Sequence, residues 1–257
     1  MKNNPVERKN HDSNPNFIFG VHPVLEALKS DKDVDKVFIQ KGTASAVFKE
    51  LRELMGKKNT PFQFVPLEKL NRLTSKNHQG VIAFVTDVKF QEIEDVLPSV
   101  FEKGKLPLIL VLDRITDVRN FGAICRTAEC CGVDAVIIPS RGAAQINADA
   151  VKTSAGALHK IAVCRSQNLK TTLAYLRDSG IRIIACTEKT EDNYTAVDYL
   201  KPTAIIMGSE DEGISGEYLK LSDSRAKIPL MGEIGSLNVS VACGVILYEA
   251  IRQRSKQ

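Results

Sequence analysis

Ile228-Pro229-Leu230-Met231-Gly232-Glu233-Ile234-Gly235-Ser236-Leu237-Asn238-Val239-Ser240-Val241-Ala242 runs from a strand, through a glycine-bearing loop, into an apolar helix. The loop is too polar and too particular to be a mere connector. Gly232 and Gly235 permit backbone conformations closed to other residues, and Ser236 and Asn238 place a hydroxyl and an amide where the next helix begins. Such a loop can present backbone groups to a ligand, although a glycine turn with a serine cap would look the same in isolation.

Two further segments share its character. Leu108 to Leu112 reads as a buried strand, Asp113 to Arg119 as a polar loop, and Asn120-Phe121-Gly122-Ala123-Ile124-Cys125-Arg126 as the opening of a helix ending near Gly132. Ala204-Ile205-Ile206-Met207-Gly208-Ser209-Glu210-Asp211-Glu212-Gly213 is again a strand running into a polar, acidic loop. Around them the C-terminal half alternates strand and helix, with strands expected near residues 108–112, 134–138, 160–164, 181–186, 203–207 and 226–229. That pattern predicts a mostly parallel sheet covered on both faces, and ligands bind such sheets outside the carboxyl ends of the strands. All three segments end there, so one pocket can collect them. The final helix, Leu237 to Arg254, brings Val241, Val245, Tyr248 and Ile251 onto one stripe.

Asn120-x-Gly-x-x-x-Arg126, then Gly208-x-Glu210-x-x-Gly213, then Ile228-Pro229 leading to Ser236-Leu237-Asn238-Val239-Ser240 resembles, in order and separation, the three motifs of the SpoU (TrmH) family of RNA ribose 2′-O-methyltransferases. The similarity is closest to the branch that methylates a guanosine of 23S ribosomal RNA. It implies an α/β fold whose C-terminal domain, residues 105–257, carries a trefoil knot and holds S-adenosylmethionine; no periodicity argument would propose a knot. It also implies a homodimer. By the same resemblance Met207, Gly208, Ile228 and Leu237 frame the cofactor, with Thr187 a further candidate for the same wall. Asn120, Arg126, Glu210, Ser236 and Asn238 form the catalytic set, with Arg126 activating the ribose and reaching the partner subunit's cofactor. The chain departs from the pattern in Asp117-Val118-Arg119, in Phe121, and in Leu230 inserted between proline and methionine.

The residues themselves set requirements on that chemistry. A ribose hydroxyl is far too weak an acid to ionise at neutral pH, so the site must align it, desolvate it and receive its proton. Arginine stays protonated, which makes Arg126 a natural clamp for a phosphate and a poor base. Other readings are bland: Asn120 as a helix N-cap, Glu210 as a surface carboxylate, Ser236 as an N-cap and Asn238 as its first-turn partner, Gly208 as a tight-turn glycine.

Residues 17–88 read as a small α/β domain that the resemblance makes the RNA-binding one. Helices are expected at Val21 to Lys29, Ala44 to Met55 and Leu67 to Leu73, and strands at Val34 to Gln40, Phe62 to Val65 and Gly80 to Val85. The Gly20-x-His22-x-Val24-x-Glu26-Ala27-Leu28 and Asn77-His78-Gln79-Gly80-Val81 runs look like its landmarks. His78 and Gln79 are expected in an exposed loop able to bond a base or ribose, and His22 is expected to be structural. Residues 1–16, polar and without periodicity, read as a disordered tail, and 89–104 as a linker with a short helix around Glu92 to Phe101.

Composition narrows the classes. The chain has 257 residues and a formal net charge of +4. Its first 104 residues hold 16 Lys and Arg against 14 Asp and Glu, leaving 19 against 17 beyond, so phosphate binding must come from local patches such as Arg52, Lys57 and Lys58, or Arg72, Lys76 and His78. The six cysteines show no metal-ligand spacing and read as small buried hydrophobes, so no metal is expected. No apolar stretch is long enough to cross a membrane, and the N-terminus lacks a signal core, so a cytoplasmic protein is expected. A nicotinamide-dependent oxidoreductase would carry G-x-G-x-x-G after the first strand; residues 113–122 hold a single glycine. A transfer RNA methyltransferase, or an RNA-binding assembly factor without catalysis, is compatible with the same residues.

Overall fold

The computed structural model describes residues 17–30, 32–43 and 46–255. The expected tail, and Ala44 and Ser45 at the expected start of the second helix, lie outside these residues. The small domain comprises β1 (Phe17–Phe19), α1 (Val21–Lys29), β2 (Asp33–Gln40), α2 (Ala46–Lys57), β3 (Phe62–Val65), α3 (Leu67–Leu73) and β4 (Val81–Thr86). Its sheet runs β1-β4-β2-β3, with β2 and β3 parallel and the other pairs antiparallel. Val24, Leu28, Val37, Ile39, Leu51 and Met55 close its core between that sheet and the first two helices.

The larger unit begins earlier than its apolar strands suggest. Phe90–Gln91 forms β5, parallel to the later strand at Ala162–Ser166, and Ile93–Glu102 forms α4, which buries Ile93 and Leu97 on the sheet. The expected linker is thus an edge strand and a covering helix. There follow β6 (Leu108–Asp113), α5 (Val118–Cys130), β7 (Ala135–Pro139), α6 (Ala148–Thr153), β8 (Ala162–Ser166), α7 (Leu169–Asp178), β9 (Arg182–Cys186), β10 (Thr203–Gly208), α8 (Gly216–Leu221), β11 (Ser224–Ala226) and α9 (Val239–Arg254). Between β9 and β10 the alternation lapses: a 3-10 turn at Tyr194–Ala196 stands where a helix was expected.

The seven strands run in the order β11-β9-β10-β6-β7-β8-β5, and every pairing is parallel. Side chains alternate along each strand, so Leu108, Leu110 and Leu112 pack with Phe121, Ile124, Ile246 and Leu247 of α5 and α9, while Ile109 and Val111 pack with Leu97, Leu173 and Leu176 of α4 and α7. After β8 the chain crosses to the other side of β6 and lays down β9, β10 and β11. The ladder sets Gly208 against Asp113, so the ends of β6 and β10 are neighbours at the switch in strand order, where such sheets open a crevice.

Of the stripe read on the last helix, Val241 and Tyr248 face outward, 53% and 58% exposed, while Ile251 packs partly against the core; the buried positions of α9 are Val239, Cys243, Ile246, Leu247, Glu249 and Ala250. Sequence periodicity finds both faces apolar and cannot say which is covered.

One buried ion pair joins the two domains. Arg165 on β8 donates to the Asp35 carboxylate on β2 at 2.8 Å and to the Val34 carbonyl at 3.3 Å, and its guanidinium lies 3.5 Å from the centre of the Phe90 ring. The two side chains are 9% and 6% exposed. Burial pushes the Asp35 carboxyl above its ordinary range, opposed by the Arg165 charge.

Candidate active site

At the ends of β9 and β10 lies a cavity of about 330 Å³. Met207, Gly208, Ile228 and Leu237 all line it, together with Ser236, Thr187 and the acidic run Glu210 to Glu212. Apolar walls with a few converging polar groups suit an organic ligand, and the carboxylates suit one that carries positive charge. Cys186 is part of the wall; burial, aided by Glu188, pushes its thiol up to about 12, so it is a neutral surface rather than a nucleophile.

Three side chains from the three motifs meet at this cavity. Asn120 donates its amide to Glu210 Oε1 at 2.6 Å, and Asn238 donates to Asn120 Oδ1 and to Glu210 Oε1, each at 3.1 Å. Local structure puts them there. Asp117 caps α5 by accepting from the Asn120 backbone N–H at 2.7 Å, which frees the Asn120 side chain to face the loop after β10. Asn238 caps α9 by accepting from Ser240 N at 2.9 Å. The capping expectations therefore shift: Asp117 caps α5 in place of Asn120, and Asn238 caps α9 in place of Ser236. Ser236 sits in the cavity wall, in an exposed loop that replaces the strand expected at 226–229, since β11 ends at Ala226.

Gly208 has a reason other than ligand approach. A Cβ there would stand 2.2 Å from the carbonyl carbon of Gly213 and 2.3 Å from Ile214 N, because residues 209–213 double back on the strand end. Gly122, the motif glycine of α5, is similarly forced: its Cβ would meet the Ala150 carbonyl oxygen and Thr153 Cβ at 2.8 Å. Both glycines buy close backbone approach.

Arg126 is not brought to the cavity of its own chain. It lies six residues after Asn120 on α5, about 9 Å along the axis and about a third of a turn round, exposed and without a partner among the described residues. The expectation of exposed loop side chains fails for His78, whereas Gln79 is exposed as expected. His78 is buried, its Nε2 paired with Asn71 Oδ1 at 2.9 Å and its Nδ1 accepting from Gly80 N at 3.0 Å, and Gln79 Oε1 accepts from Val21 N at 3.2 Å. Both side chains hold the small domain together.

Asp113 and Arg114 escaped sequence reading. Asp113, 2% exposed at the end of β6, accepts from Ser215 N at 2.7 Å and from Arg114 Nε at 2.9 Å. Arg114, at a left-handed φ of 58°, donates to the Gly213 carbonyl at 3.1 Å and pairs with Glu212. The two tie the first motif to the loop carrying Glu210. The available signal was an acid closing an otherwise apolar strand, Leu108 to Leu112.

Comparison with known proteins now decides the family. The model described as SpoU rRNA Methylase family matches residues 107–248, and the one described as RNA 2′-O ribose methyltransferase substrate binding matches residues 17–91. The chain belongs to the SpoU methylase family. It is 33% identical over 239 residues to YacO of Bacillus subtilis, assigned by name to the TrmH family of tRNA/rRNA methyltransferases, covering 93% of this chain and 96% of that one. It resembles the crystal structure of the SpoU methyltransferase AviRb from Streptomyces viridochromogenes, with 25% identity, a TM-score of 0.59 and coverage of 94% and 90% of the two chains. AviRb has also been solved with S-adenosylmethionine. The A. aeolicus TrmH/SpoU tRNA modifying enzyme is 33% identical over a match covering 64% of this chain and 85% of that one, with a TM-score of 0.54. The architecture is that of the trefoil-knotted SpoU methyltransferases, and SpoU-family RNA methyltransferases draw their methyl group from S-adenosylmethionine.

Proposed function

We propose that this SpoU-family protein transfers a methyl group from S-adenosylmethionine to the 2′-hydroxyl of a guanosine ribose in 23S ribosomal RNA. The observation that carries the reading is the junction of Asn120, Glu210 and Asn238, one side chain from each motif, on the edge of a cavity fit for the methyl donor. The larger unit from Phe90 onward acts as the catalytic domain and residues 17–88 present the RNA.

Met207, Ile228 and Leu237 supply apolar contact to the donor, and the carboxylates of residues 210–212 complement its positive charge. When bound, S-adenosylmethionine supplies a methyl already activated by its sulfonium. The protein must therefore work on the hydroxyl. Glu210 Oε1 is occupied by two amides, which fixes the carboxylate plane, while its Oε2 bonds no described residue and stands available to a ribose hydroxyl. Arg126 clamps a phosphate of the target nucleotide, aligning the ribose and lowering the cost of its developing negative charge.

Since Arg126 stands away from its own cavity, it serves that of a second copy. Homodimerisation fits the surface around it. Val241 and Tyr248 lie exposed along α9, Ile234 is 81% and Met231 97% exposed in the preceding loop, and a Cβ at Gly244 would come within 3.7 Å of Thr127 Cγ2, next in sequence to Arg126. An apolar strip of this kind is what an isologous interface covers.

A second reading, transfer RNA as substrate, is favoured by the naming of YacO for both RNAs and by the identity to the A. aeolicus tRNA modifying enzyme. Incubation with tritiated S-adenosylmethionine and either RNA, each purified from cells lacking the gene, separates them. Label appearing as 2′-O-methylguanosine in 23S ribosomal RNA is expected; label confined to transfer RNA would replace the first reading with the second.

A further inference from the structure

A second cavity, about 640 Å³, opens between the two domains, walled by β2 and β3 on one side and by residues 138–145 on the other. Its small-domain wall is aromatic and basic. Phe64 is 37% exposed, with Phe62 edge-on at 5.7 Å between ring centres and the Arg52 guanidinium 5.2 Å from its ring. On the opposite face of that sheet Lys36, which also lines the cavity, and Lys69 of α3, which does not, stand over the Phe38 ring at 5.2 Å and 4.7 Å. Burial and the neighbouring Lys69 lower the pKa of Lys36, opposed by the Asp35 charge. Among the described residues Asp35 is the one carboxylate lining the cavity, and it is engaged by Arg165. On the opposite wall Arg141 is exposed and Ser140 Oγ is buried without a hydrogen-bond partner.

We propose that this interdomain cleft binds an unpaired nucleotide of the RNA next to the one being methylated, its base stacked on Phe64 and its phosphate held by Arg141 of the facing wall. Exposed rings flanked by cations are how proteins hold single-stranded nucleic acid, and a base within a duplex has no free face to offer them. A basic, aromatic cleft lacking free carboxylates is poorly matched to a basic or apolar partner. Its position also fits. Gly142 lines the cleft, and Arg114 Cγ lies 3.7 Å from where a Cβ on Gly142 would be, while the Arg114 guanidinium bonds Glu212 and the Gly213 carbonyl at the edge of the methyl-donor cavity. A single arginine thus separates the two cavities, and a strand crossing it lays consecutive nucleotides into both.

The inference rests on the RNA methyltransferase reading, and the test separates the two. Affinity for a fluorescein-labelled short single-stranded RNA, and for the same RNA closed as a hairpin stem, is measured by anisotropy over a range of salt. The parent is compared with Phe64→Ala, Arg141→Ala and, outside the cleft, Lys103→Ala. S-adenosylmethionine binding by calorimetry and methyl transfer are followed in parallel. Phe64→Ala is expected to weaken single-stranded binding about tenfold, to leave the hairpin unaffected and to keep cofactor affinity at the parent value. Arg141→Ala is expected to reduce the salt slope by about 0.7, and Lys103→Ala to change neither. Parent-like RNA binding by Phe64→Ala overturns the proposal, as does equal weakening of stem and single strand, which would mark a general basic surface, or a parent that binds no RNA and instead captures a protein partner there. A parent that binds single-stranded RNA through Phe64 yet transfers no methyl would overturn the enzymatic reading and leave the cleft standing.

Discussion

Two residues separate stability from chemistry most cleanly. Gly208 is fixed by backbone: an added methyl would overlap the Gly213 carbonyl, so Gly208→Ala is expected to cost about 1–3 kcal/mol and to displace the loop bearing Glu210. Calorimetry should show S-adenosylmethionine affinity falling at least about tenfold, roughly 1.4 kcal/mol; unchanged affinity would mean the loop does not depend on that glycine. Arg126 is the converse case. Exposed and unpaired among the described residues, it holds nothing in its own chain, so Arg126→Ala should change thermal stability by less than about 0.5 kcal/mol while abolishing methyl transfer. A fully active variant would remove Arg126 from the catalytic set. Residue-level reading of the sequence found the groups that meet, Asn120, Glu210 and Asn238, because their types and spacing are distinctive. It misread His78, whose ring is buried and spent on Asn71 and Gly80.

At the scale of elements, α9 is where packing and assembly meet. Its buried face secures the sheet, and its exposed face carries Val241 and Tyr248 beside the seam with α5. Val241→Glu should leave the monomer folded, since the position is already in water, but sedimentation should show the dimer dissociating and activity falling with it if Arg126 acts in trans. A monomeric parent would contradict this, as would a monomeric variant with full activity. Element boundaries were largely legible from periodicity and caps: Val21–Lys29, Phe62–Val65 and Leu67–Leu73 coincide with their expected spans. What periodicity could not supply was the edge strand at Phe90–Gln91, too short to carry a pattern, or the missing helix between β9 and β10. Nor could it choose between two apolar faces of one helix.

For the whole molecule, the fold does two things: it gathers three distant loops at one edge of the sheet, and it locks the small domain beside them. The lock is the Arg165–Asp35 pair. Arg165→Met leaves a buried carboxylate uncompensated, a change expected to cost about 3–5 kcal/mol, and because that loss falls at the domain boundary, differential scanning calorimetry should resolve two melting transitions where the parent gives one. A single, unshifted transition would mean the domains are held by other contacts. This docking, and the cleft it creates, was not legible in the sequence, because Asp35 and Arg165 stand 130 positions apart and neither belongs to a motif.

The central claim is that the cavity and its amide-carboxylate junction deliver a methyl to one ribose of 23S ribosomal RNA. Mapping 2′-O-methyl marks in RNA from cells with the gene, without it, and complemented with Asn120→Ala or Arg126→Ala tests it most directly. One guanosine mark in 23S ribosomal RNA should vanish with the gene, return with the parent chain and stay absent with either variant. An unchanged set of ribosomal RNA marks in cells lacking the gene would contradict the account.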